Sequence, residues 1–196
     1  MNETELKYTA YEYYPIGIDS IKQREEYNNS KEFKKLLFAV NQFYKVNEKK
    51  INLLNDEFRL HPLTKNIQDL SALDFDRCLT FELDILDEST KVAFKIRLVI
   101  SILIPYFFIY ALQSKVQLKP YKQLTLPVRK RELESIKFVQ EIELIANIVK
   151  KVFQYDLFQE KYLKFVIPNV SHSDIREGDF TFFNAFFRGE NFSLYE

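Results

Sequence analysis

The sequence predicts an α+β fold in which an antiparallel β-meander packs against long amphipathic helices. Three observations carry that prediction. Two runs alternate strictly with period two, Leu79-Phe81-Leu83-Ile85 and Val92-Phe94-Ile96-Leu98, and a polar tetrad, Asp87-Glu88-Ser89-Thr90, separates them. Apolar residues recur at helical spacing near 31–60 and again near 130–154. Five phenylalanines then crowd the eight residues from Phe180 to Phe187. At 196 residues and 46% hydrophobic content the chain is long enough for a full core and reads as one domain, 1–196.

The first element, residues 5–14, is aromatic and β-prone, with four tyrosines, and ends at Pro15, so it reads as a strand able to extend the sheet. Asp19 or Ser20 can start a short helix running to Tyr27. Asn29 with Glu32 three residues on resembles a capping box, and it opens a helix whose stripe is Phe33, Leu37, Val40, Tyr44, Ile51, Leu54 and Phe58. Pro62 disfavours a helical residue before it and ends that helix near Leu60. Residues 63–75 read as a connection with one helical turn.

The meander follows at about 78–86, 91–103 and 106–113. Pairing Leu86 with Lys91 sets Ile85 against Val92, Leu83 against Phe94, Phe81 against Ile96 and Leu79 against Leu98. On the other face this register opposes Glu82 to Lys95 and Thr80 to Arg97, while a one-residue slip would set apolar against charged side chains throughout. Beyond Leu98 alternation stops, which predicts a strand covered on both faces until Pro105 turns the chain into the third strand. Residues 114–131 are basic and irregular. A second long helix carries Phe138, Ile142, Ile145, Val149 and Val152, widened by Ile136, Val139, Leu144 and Ile148. Asp156 can cap a further helix to Val166, and Asp179 precedes a short Phe-rich C-terminal helix.

Composition excludes several functions. Charges balance at 28 basic and 28 acidic, against a nucleic-acid binder. The balance conceals a switch of sign: residues 51–88 hold 3 basic and 9 acidic groups, whereas 89–131 hold 9 and none. Three glycines leave no material for a phosphate-cradling loop, and one cysteine excludes an internal disulfide or a Cys-rich zinc site. The N-terminus shows no secretory pattern, and the apolar run Leu98–Leu112 falls short of the roughly 20 residues of a membrane helix. A cytoplasmic protein without cofactor, metal or membrane attachment is expected.

Catalytic candidates are few. Glu82 and Asp84 share a strand face and can be drawn as paired carboxylates, but Lys95 opposite Glu82 makes a cross-strand ion pair the simpler reading. His172 with Asp174 can be drawn as a dyad, without a nucleophile elbow beside it; His61 and His172 are isolated histidines. Cys78, at the start of an apolar strand, reads as packing material. The Phe-rich tail reads first as a helix docked on the core. Were one face free, Phe182 and Phe186 would be aromatic anchors for a partner.

Three segments, Tyr13-Tyr14-Pro15-Ile16-Gly17-Ile18-Asp19, the strand pair around Ile104-Pro105-Tyr106, and Gly178-Asp179-Phe180-Thr181-Phe182-Phe183-Asn184, resemble the cytoplasmic immunity proteins of bacterial polymorphic and type VI secretion toxins. That resemblance implies a single-domain, non-enzymatic protein that binds a cognate toxin and occludes it. Candidate partner-binding residues are Asp74, Asp76, Asp87 and Glu88 from the acidic segment, with Phe182 and Phe186 from the tail. A small hydrolase or transferase using Glu82, Asp84 or His172 is the alternative, and an oligomeric structural protein is another.

Overall fold

The structure, a computed structural model, describes residues 1–72, 76–87, 92–116, 123–127 and 139–188, with side chains for all of these except 86–87, 92–93, 113–116 and 123–127. It is an α+β fold. Helices α1 (Glu3–Tyr11), α2 (Arg24–Asn29) and α3 (Lys31–Leu60) precede strands β1 (Gln68–Asp69), β2 (Cys78–Asp87), β3 (Val92–Ser101), β4 (Tyr106–Val116) and β5 (Gln123–Pro127). Then come α4 (Val139–Phe153), β6 (Asp156–Leu157), α5 (Glu160–Leu163) and α6 (Phe182–Phe186).

The expected N-terminal strand is a helix. Asn2 and Glu5 form a reciprocal capping box, Glu5 N–H donating to Asn2 Oδ1 at 3.0 Å and Asn2 N–H to Glu5 Oε2 at 2.8 Å. With two otherwise orphaned donors satisfied, burial of Leu6, Ala10 and Tyr14 at four-residue spacing outweighs the β preference of the tyrosines. α3 has the expected length, but its cap is Ser30, whose Oγ accepts from Phe33 N–H at 3.2 Å. Its buried line runs through Leu36, Val40 and Phe43 before reaching Leu54 and Phe58, which leaves Leu37 in the mouth of the cleft described below. Thr64 Oγ1 donates to Phe58 C=O at 2.8 Å and helps turn the chain beyond α3.

Strands β1 to β5 lie in sequence order and pair antiparallel, with β6 added in parallel beside the start of β4. The β2–β3 faces are those predicted, but the register is displaced by two residues. Leu79 opposes Ile100, Phe81 opposes Leu98, Leu83 opposes Ile96 and Ile85 opposes Phe94. A shift of two preserves every face, so apolar alternation cannot distinguish the two registers. Beyond Leu98 the strand is covered on both sides as expected, Leu98, Val99 and Ile100 each being at most 1% exposed. Ser101 Oγ then accepts the N–H groups of Leu103 and Ile104, both at 3.2 Å, and shapes the turn before Pro105.

Two later expectations are corrected. Residues 123–127 form β5 within the segment read as irregular, pairing with the end of β4. The helix expected from Asp156 starts instead as β6, because Phe158 N–H and Phe107 C=O bond at 2.8 Å and keep the chain extended until α5. The first turns expected of the second long helix, before Val139, lie outside the described residues.

Both faces of the sheet are buried. Leu79, Phe81, Leu83, Ile96, Leu98 and Ile100 pack against α3 and α4 through Leu54, Phe58, Ile145, Val149 and Phe153. Cys78, Val99, Tyr110 and Leu112 pack on the opposite side against α1, α5 and α6. Tyr14 donates its hydroxyl to Ala185 C=O at 2.7 Å and joins the N-terminal segment to α6. Among the described residues no helix is long and apolar enough to cross a membrane.

Candidate ligand cleft

A cleft of about 720 Å³ opens where α2, the first turns of α3, the entry to β2 and the 171–174 loop meet. Each wall follows from local chemistry. Asp19 Oδ1 accepts the N–H groups of Ile21 and Lys22 at 2.9 and 2.8 Å, an Asx turn that leads into α2. Ser20 N–H donates to Ser171 Oγ at 2.9 Å and Ser20 Oγ donates to Ser173 C=O at 3.0 Å, sewing this turn to the 171–174 loop. Ser173 holds φ +55°, a left-handed conformation uncommon for a residue with a Cβ, and it lines the cleft.

Arg77 forms the floor. It stands immediately before Cys78, the first residue of β2, and its C=O accepts from Ile102 N–H at 2.9 Å, so its backbone is fixed by the sheet. The residue is only 5% exposed. Among the described residues its Nε has no hydrogen-bond partner and its guanidinium enters no ion pair. Arginine does not lose its proton in proteins, so this is a permanent buried cation with no ion-pair partner among the described residues, although Asp76 and Asp174 line the same cleft.

Beside it, His172 Nδ1 and the Tyr27 hydroxyl lie 2.7 Å apart. Tyr14, Tyr27, Phe33 and Phe180 surround the imidazole with ring centroids 5.2 to 6.2 Å away. Burial, assisted by the charge of Arg77, holds the His172 pKa well below its ordinary value, and burial also raises that of Tyr27. The imidazole is therefore neutral near pH 7, and its Nδ1 shares a hydrogen bond with the Tyr27 hydroxyl whose direction follows the tautomer. The drawn His172–Asp174 dyad is not formed: Asp174 lines the same cleft, but the ring nitrogen that would need orienting is taken by Tyr27.

The other catalytic candidates are occupied. Glu82 accepts from Lys95 Nζ and from Arg97 Nε and Nη2, the latter two at 3.1 and 2.7 Å, and Asp84 lies 3.3 Å from Lys95. Arg97, not Lys95, is directly opposite Glu82, a consequence of the two-residue shift, and both cations reach it. Burial raises the Glu82 pKa, but hydrogen bonds and charge from Lys95 and Arg97 outweigh it and hold the carboxyl below its usual range. Cys78 is fully buried, its thiol 3.5 Å from Thr80 Oγ1, and burial pushes its pKa up to about 12, as suits packing material rather than a nucleophile.

Of the residues proposed for partner contact, Asp76 lines the cleft next to Arg77. Asp87 ends β2 at the far end of the strand, about 30 Å away at roughly 3.3 Å per residue. Asp74 and Glu88 lie outside the described residues. Phe182 and Phe186 are both 0% exposed, so they are core side chains and offer no surface anchor. Sequence reasoning missed Arg77, Arg24 and Tyr27. Arg77 left one signal, being one of only three basic residues in the acidic 51–88 segment and standing directly against the buried run that starts at Cys78.

The chain was compared with protein-family models, with curated proteins and with solved structures, and none of them matches it.

Proposed function

We propose that this is a non-enzymatic binding protein that receives part of a protein partner in the Arg77 cleft. The observation that supports it is the buried Arg77, without an ion-pair partner among the described residues, at the floor of a cleft whose mouth carries exposed apolar side chains, Ile21 at 57% and Leu37 at 44% exposure. An isolated buried charge costs several kcal/mol, on the order of the loss seen when one partner of a buried pair is removed. A ligand that brings the missing anion relieves that cost at the moment of binding, and the apolar rim supplies area that excludes water around the contact. The occupied state of His172, Glu82 and Cys78 favours binding over catalysis.

The specific version, in which the partner is a bacterial toxin whose site is occluded, draws its support from the sequence resemblance. Co-expression with the product of the adjacent reading frame tests both levels. The expected result is a stable complex on size exclusion that is lost in Leu37→Glu and in Arg77→Met. Absence of any complex, or a complex indifferent to both substitutions, contradicts the proposal.

A further inference from the structure

We infer that the cleft is a carboxylate site, in which Arg77 takes a single carboxylate whose apolar body lies along Phe33, Leu36, Leu37 and Val40. This rests on the binding reading above and names the chemical group that the partner brings.

Four observations select a carboxylate. Among the described residues the Arg77 Nε–H has no hydrogen-bond partner, and a guanidinium grips a planar two-oxygen anion through parallel hydrogen bonds from one N–H edge. The charges around it are balanced, since Arg24 and Arg77 share the lining with Asp76 and Asp174. These four charges sum to zero, so a monoanion leaves the occupied cleft at −1, whereas a dianionic phosphate leaves it at −2 beside both aspartates. His172, which shares the lining with Arg77, is neutral, so it contributes polarity rather than a further positive charge. Finally, Phe33, Leu36, Leu37 and Val40 of α3 give the cleft an aliphatic and aromatic wall, and about 720 Å³ falls within the roughly 300–1,000 Å³ typical of sites that enclose a small molecule or a few side chains. A bare inorganic ion would leave that wall unused.

A protein chain supplies such a group as an acidic side chain or as its C-terminal carboxylate beside an apolar residue, and a free organic acid supplies the same chemistry. Isothermal titration of the full chain with sodium hexanoate, hexanamide and inorganic phosphate separates the possibilities. Hexanoate is expected to bind with a Kd of about 1 mM or tighter, with hexanamide and phosphate at least about tenfold weaker. Arg77→Lys, which keeps the charge but loses the fork, should weaken hexanoate by about tenfold, and Arg77→Met should abolish it. The His172 ring resonances should move with hexanoate in the wild type, a readout that general adhesion of a fatty acid would leave unchanged.

Equal binding of hexanoate and hexanamide, tighter binding of phosphate, or retention of hexanoate affinity by Arg77→Met overturns the inference. Hexanoate binding without any protein complex retains the carboxylate site and removes the protein-binding reading, leaving a free acid as the ligand. A protein complex lost on Leu37→Glu, formed by a chain that ignores hexanoate, does the reverse. Circular dichroism of the two Arg77 variants confirms that each is folded when titrated.

Discussion

Truncating Phe186 to alanine is expected to destabilise the protein by about 3–5 kcal/mol, the range for removing a buried aromatic side chain. Phe180, Phe182, Phe183, Phe186 and Phe187 are all 0% exposed. They are held as a unit rather than resting on the surface. Thr181 and Asn184 close a capping box at the start of α6, and Phe182 N–H donates to Phe165 C=O at 3.0 Å. Ring contacts continue from there: Phe165 stacks on Phe182 at 5.1 Å, Phe182 meets Phe186 tilted at 5.9 Å and Phe158 meets Phe187 edge-to-face at 5.4 Å. Loss of one ring opens a cavity in a layer that also touches the sheet. For a chain of this size the thermal midpoint should fall by about 10 °C. Phe38→Ala is the control, since that side chain is 65% exposed and should change stability by less than about 0.5 kcal/mol. A Phe186→Ala protein melting with the wild type would place the Phe-rich helix outside the core.

Replacing Glu82 by glutamine is the second large effect, about 2–4 kcal/mol at neutral pH. The substitution leaves Lys95 and Arg97, whose side chains are 27% and 15% exposed, without the carboxylate that both of them contact. The effect depends on pH in a defined sense. Because the folded-state pKa of Glu82 lies below its usual value of 4.5, the ionised carboxylate stabilises the fold fully above that value. The contribution is lost as pH falls through the lower folded-state pKa. Urea unfolding of wild type and Glu82→Gln should therefore differ most near pH 7, with the gap narrowing below pH 4.5. An equal gap at pH 7 and pH 3 would mean that the carboxylate charge is not what holds the pair of strands.

Which features could be read from residues alone follows from how local their causes are. The strand faces were legible because period two is a property of each strand by itself. The register was not, because shifting by two keeps Phe81 and Leu83 on apolar partners. Only the side chains of the other face separate the two pairings: the observed register sets Glu82 directly across from Arg97 with Lys95 still in reach, and sets Asp84 across from Lys95. The α1 segment was misread because its tyrosines speak for a strand, while the two residues that decide it, Asn2 and Glu5, lie at its edge. That signal was present in the sequence and is of the same kind as the one read at Asn29 and Glu32.

The cleft was not legible for a different reason. Its floor comes from Arg77, one wall from Phe33, Leu36 and Val40, and its rim from Ser20 and Ser173. These segments are brought together only when the 16–23 turn and the 171–174 loop bond to each other across about 150 residues of chain. No spacing in the sequence encodes such a meeting. The phenylalanine tail was the opposite case, since five rings in eight residues already argue for burial whatever they pack against.

The central claim is that Arg77 is held in the core for a ligand and not for the fold. Its most direct test is the unfolding free energy of Arg77→Met against wild type in ligand-free buffer. Methionine fills much of the same space without a charge, so the variant should be as stable as the wild type or more stable by about 1–2 kcal/mol. An Arg77→Met protein less stable than wild type by about 2 kcal/mol or more would show the guanidinium to be a structural group, and would contradict the account.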